Sequence, residues 1–252
     1  MVKSCIYKVR PEGDAAKVTL LQTFKVVKTN KPLFIILGIF SMNVFGNIAN
    51  NLYLYFFTYN MGNGSLVAAV GTITICCSIA CLVTPFLTAR FRKRDIFIVL
   101  CVLEIAARIG FYMSGYDSVT EVIIWLSVVN IIFMMTNPLV SAMIADTVEY
   151  SYYHTGKRCA AITFAGQTFT GKLSVAIAGG FSGVLLTILG YMPNEAQSIE
   201  TMDGIFFCIA LLPALGTVVR IILLKMYTFN EEQHAELVEK INRGEFNITA
   251  KI

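Results

Sequence analysis

Six apolar runs, at about 32–58, 66–88, 96–114, 120–145, 160–189 and 203–225, constrain this chain more than any other feature. An α-helix rises about 1.5 Å per residue, so about 20 apolar residues cross the hydrocarbon core of a bilayer. Each run is of that order. The segments between them carry turn chemistry: "NMGNGS", "RFRKRD", "SGYDS", "TGKR" and "YMPNEAQS". Charged residues make up only 14% of the chain, where a soluble domain carries about 25%, so there is too little polar surface for solubility. The expected fold class is therefore an all-α membrane protein with six transmembrane helices. Residues 1–31 read as a polar N-terminal segment, 32–225 as the six-helix domain and 226–252 as a tail.

The basic residues give the orientation. Seventeen of the twenty Lys and Arg lie in the N-terminal stretch, the second and fourth connections and the tail; the first, third and fifth connections have none. By the positive-inside rule both termini are expected on the cytoplasmic side of the plasma membrane. No signal-peptide-like apolar stretch precedes the first run, which is expected to direct insertion itself. The net charge of +4 comes from these loops and calls for no nucleic-acid partner. The tail, "TFNEEQHAELVEKINRGEF", reads as a solvated amphipathic helix of mixed charge. His154 and His234 have no matching ligands nearby, so no metal is expected. No nucleophile–base constellation and no Walker-type loop occurs, so enzymatic activity is not expected.

Polar residues inside the runs fall on faces. Asn43, Asn47 and Asn50 recur at i, i+4, i+7 in the first, with Asn51 beside them. Ser127, Asn130, Asn137 and Ser141 form a second stripe in the fourth. Interhelical hydrogen bonds would explain such stripes, at about 0.6 kcal/mol per contact in membrane bundles. A water-filled cavity that binds hydroxyl groups is the reading that two coordinated stripes favour, because amides both donate and accept. Glu104 and Arg108, at i, i+4 in the third run, read as a structural ion pair, while Arg220 near the end of the sixth is expected to snorkel to the headgroups.

Lys172 stands alone. A helix from Ala160 places it about 18 Å along, near the bilayer midplane, with no acid at i±3 or i±4. It shares a helical face with Thr168, Gly179 and Gly183, and the glycines suit that face to close packing against a neighbour. Gln167 lies about 140° away round the helix, so both residues can line one cavity only if it is wide or the helix deforms at Gly171. Ionisable residues at this depth mark transport pathways by default.

The stretch from the end of the fourth run into the fifth, "NPLVSAMIADTVEYSYYHTGKRCAAITFAGQTFTGKLSVAIAGG", resembles the glycoside–pentoside–hexuronide:cation symporters of the major facilitator superfamily. That family shows Asp-x-x-(Asp/Glu)-Tyr after its tenth helix, an Arg before the eleventh, then Gln-Thr and an intramembrane Lys. Here these are Asp146, Glu149, Tyr150, Arg158, Gln167, Thr168 and Lys172. "TARFRKRD" and "YMPNEAQS" resemble the family's loops after helix eight and before helix twelve. The chain departs from the pattern at Asn137, where melibiose permease, a member, has an aromatic residue near the sugar.

The resemblance covers essentially the whole chain but only half of a family member. It implies helices seven to twelve of a twelve-helix transporter, that is, one half of a major facilitator bundle built from two inverted three-helix repeats. The implied function is the C-terminal half of a cation-coupled sugar symporter working by alternating access. Lys172, Thr168, Gln167, Asn137, Asn130, Asn43 and Asn47 would line the substrate cavity. Asp146, Glu149 and Arg158 would gate its cytoplasmic side, with Glu104 and Arg108 as a further salt bridge. No cofactor is implied beyond a coupling cation, Na⁺, H⁺ or Li⁺, whose site lies mostly in the absent N-terminal half. The implied partners are that half, a sugar and lipid. A non-transporting remnant and a homodimeric six-helix transporter stand as alternatives.

Overall fold

A computed structural model of the chain describes residues 30–156 and 160–248. The six apolar runs become six helices long and apolar enough to cross a membrane: α1 (Lys31–Asn60), α2 (Leu66–Thr88), α3 (Lys93–Ser114), α4 (Val119–Thr155), α5 (Ala160–Ile188) and α6 (Ile199–Met226). A seventh, polar helix, α7 (Glu231–Asn242), follows in the tail. No strand occurs among the described residues.

The helices differ in extent from the apolar runs where capping outweighs hydropathy. Arg92 is extended and lets "KRD" form the first turn of α3. Gly115, at φ 75°, ends that helix. The sequence "DTVEYSYYHT" is too polar to extend a hydropathy window, yet it continues α4 to Thr155, where Gly156 at φ 69° closes it in the left-handed conformation. The Asp146–Glu149 motif therefore sits on a helix. Pro138 lies inside α4 and removes one of its backbone donors.

The first three helices and the last three pack in the same way with the roles exchanged. α1 packs on α5 and α6, the second and third helices of the other triplet, and α4 packs on α2 and α3 in turn. α1 meets α4, and α3 meets α6. This pattern is what two interleaved three-helix repeats produce. α3 and α6 are the best covered spans; α2 and α5 are the least covered.

Two apolar clusters fill the bundle. One, towards the end that carries the α2–α3 connection and the tail (the basic end), includes Leu33, Ile36, Phe97, Leu139, Met143 and Leu224. The other, towards the far end, includes Leu52, Phe56, Phe111, Leu126 and Phe206. The far end is tied by Tyr59 and Tyr191, whose hydroxyls are 2.9 Å apart, and by Asn60 donating to the Met202 carbonyl. α1 breaks at Met42, midway along its length. The Ser41 carbonyl there accepts from Ser174 of α5 at 3.3 Å, and Gly216 lets α6 approach the break closely.

Candidate functional site

α5 places Lys172 on an open face. Its packed stripe, Thr163, Ser174, Ala178 and Ser182, is buried. Small residues let α1 come close along this stripe: Leu37 and Phe40 lie against Gly166 and Gly171. Ser174 is about 200° round the helix from Lys172, so the lysine faces away from α1 and is exposed at mid-span. No hydrogen bond or ion pair reaches its ammonium group among the described residues. On the same side a Cβ at Gly179, Gly180 or Gly183 would meet nothing within 4 Å. The glycine face expected to pack closely therefore meets no described helix of this chain.

The helix runs through Gly171 without deforming, so Gln167 stays turned from Lys172. Gln167 reaches α4, where its Nε2 donates to Ser141 Oγ at 3.2 Å. Thr168 is exposed, its hydroxyl donating to the Phe164 carbonyl of its own helix. Asn137, one turn before Ser141, is half-buried with no hydrogen bond among the described residues. These groups form a polar seam between α4 and α5.

The two amide stripes do not make one continuous lining. The side-chain oxygen of Asn43 accepts from the Arg220 guanidinium, so it ties α1 to α6. Asn51 turns the other way and donates to Ser182 of α5 at 3.1 Å. Asn47 between them is half-buried and makes no hydrogen bond among the described residues. α1 lies between α5 and α6, so residues at helical spacing along it meet different neighbours. Asn130 donates its Nδ2 to the Leu126 carbonyl of its own helix at 2.9 Å. Ser127 does the same towards Ile123 at 2.7 Å, as short polar side chains in helices commonly do.

Between the two apolar clusters lies a charged node. Arg108 Nε donates to Glu104 Oε1 at 3.1 Å, and Arg220 Nη1 stands 3.6 Å from Glu104 Oε2. The three residues are 2%, 7% and 5% exposed for Glu104, Arg108 and Arg220. Arg220 therefore does not snorkel; it joins α6 to α3 and, through Asn43, to α1. Arg108 also donates to the Ile209 carbonyl at 3.4 Å. One carboxylate serves two guanidiniums, and a neutral acceptor takes one further donor from each, the Ile209 carbonyl from Arg108 and Asn43 from Arg220. For the inward turn of Arg220 the sequence signal was an arginine in an apolar helix one turn beyond a glycine, Gly216.

At the basic end Asp146 of α4 is salt-bridged to Lys93 at the start of α3. Glu149, one turn on, faces His234 of α7, with 3.9 Å between Oε2 and Nε2. Arg158, expected to share this gate, lies outside the described residues. The tail helix is not simply solvated. Its Leu237 is buried, Glu231 Oε1 accepts the Lys93 backbone N–H at 2.8 Å, and Glu232 pairs with Arg92 at 2.8 Å.

Comparison with known proteins gives this architecture its family. The model of a family described as MFS/sugar transport protein matches residues 3–231, and the chain belongs to that family. It is 32% identical over 95% of its length to a Salmonella typhimurium protein named "Putative 2,3-dihydroxypropane-1-sulfonate exporter", covering 53% of that protein. It is 29% identical over 92% of its length to a Bacillus subtilis protein named "Uncharacterized symporter YjmB", covering 51%. An Escherichia coli "Glucuronide carrier protein homolog" is 27% identical over 90% of the chain, with 50% of that protein covered. The chain thus spans about half the length of the curated relatives it matches. It is a multi-pass membrane protein of a transporter family, and its relatives are transporters, not enzymes.

Proposed function

We propose that this chain is the C-terminal half of a cation-coupled sugar symporter, placed in the plasma membrane with both its termini cytoplasmic and working by alternating access. The observation that carries the reading is Lys172, uncovered at mid-span. A lysine presented to hydrocarbon costs about 2.5–3.5 kcal/mol on insertion scales. The bare glycines beside it leave room for a second bundle to approach closely and cover it. The half-length match to the relatives fits that second bundle being an N-terminal six-helix half.

In the assembled transporter, Lys172, Thr168, Gln167 and Asn137 would face the substrate, with the seam amides and hydroxyls donating to and accepting from sugar hydroxyls. Two of the relatives are named for acidic polyhydroxy compounds, a chemistry that an unpaired lysine suits. Glu104, held by two arginines, is poorly placed to bind a coupling Na⁺, H⁺ or Li⁺, so the companion half would supply that site. Asp146 and Glu149, on the helical end that meets Lys93 and α7, would act in the gate. A homodimer through the same face is disfavoured, because a two-fold contact sets each patch against itself and would bring two lysines together.

The test is cation-driven accumulation in proteoliposomes holding this chain with an N-terminal half. Lys172→Val is expected to abolish coupled accumulation and leave insertion intact. Accumulation by this chain alone, or unchanged accumulation in the variant, would overturn the proposal.

A further inference from the structure

The contacts of α7 with the bundle include one group that changes charge near neutral pH. An imidazole is the side chain whose charge ordinarily changes there, unlike the carboxylates, guanidinium and ammonium that make the other contacts. His234 Nε2 is buried and stands at ion-pair rather than hydrogen-bond distance from Glu149. Its ring lies edge-on to Phe229, 6.0 Å between centroids. The charges that act on it are Glu149 and Asp146 from α4 and Lys93 from α3. Among the described residues two carboxylates face it against one ammonium, so these groups favour the imidazolium. The neutral ring keeps a buried nitrogen without a hydrogen bond, and the charged ring gains a carboxylate.

We propose that α7 is a pH-dependent clasp: protonated His234 holds the tail helix to the end of α4, and loss of that proton loosens it. Glu149 chiefly raises the His234 pKa above its ordinary 6.5, with burial opposing. The attraction is thus complete below about pH 6.5 and disappears as the pH rises through the raised value. Glu231 and Glu232 remain engaged, so α7 loosens without being released. Any effect on transport rests on the function proposed above; the clasp itself does not.

Hydrogen exchange of residues 231–242 in the full chain, in lipid nanodiscs and corrected for intrinsic rates, tests this. Protection of α7 is expected to fall about two- to five-fold between pH 5.5 and 8.5, as suits a partly exposed ion pair. His234→Gln should remove the dependence. His154→Gln, which changes the other histidine, should keep it. A flat profile in the parent, an unchanged slope in His234→Gln, or loss of the slope only in His154→Gln would each overturn the clasp.

Discussion

Glu104→Gln removes the only negative charge from a node that holds two guanidiniums inside the bundle. Arg108 and Arg220 would keep the Ile209 carbonyl and Asn43 as acceptors, but no counter-ion. Removing one partner of a buried ion pair costs about 3–5 kcal/mol. Because both arginines depend on this carboxylate, the expected loss is about 4 kcal/mol, close to a thousand-fold in the unfolding equilibrium. The assay is reversible unfolding in mixed detergent micelles, followed by the fluorescence of Trp125. This is the chain's one tryptophan, and it packs over Gly110 of α3. Replacing the node with apolar groups (Glu104→Leu, Arg108→Leu and Arg220→Met together) should recover most of the loss, since an apolar core escapes the desolvation cost of the ions. A loss below about 1 kcal/mol in Glu104→Gln, or a triple variant as unstable as the single one, would refute the reasoning.

The close approach of α6 to α1 gives another expectation. A Cβ at Gly216 would lie 2.7 Å from Phe45 Cδ2 and 3.1 Å from the Met42 carbonyl oxygen, so Gly216→Ala must push the helices apart at the α1 break. The expected cost is about 1–3 kcal/mol by the same unfolding assay, and an unchanged midpoint would show that the contact is looser than described. At the basic end, a double-mutant cycle on Lys93→Ala and Asp146→Ala should give a coupling of about 1 kcal/mol; a coupling near zero would remove the salt bridge from any account of how α3 and α4 are tied.

Some of the candidate site was visible along the chain because its causes are local. Glu104 and Arg108 are four residues apart on one helix, so their proximity follows from helical geometry. The isolation of Lys172 from acids on its own helix is likewise a matter of spacing. Arg220 was misread because headgroup and carboxylate are equally open to a long side chain near a helix end. Gly216, by admitting α1, makes the interior choice possible. The partners of the stripe in α1 were not legible for a related reason: spacing shows which residues share a face, but not that α6 takes Asn43 while α5 takes Asn51.

The sequence by itself determined the number of spanning helices, because bilayer thickness sets the length of apolar run that a span requires. It also determined where the charges lie along those spans. The tertiary structure alone decided that one carboxylate would serve two arginines from different helices, that the tail would dock on α4, and that Lys172 would face outward. Those outcomes depend on helix rotation and on the order in which helices pack, which are set by small-residue contacts between segments far apart in the chain.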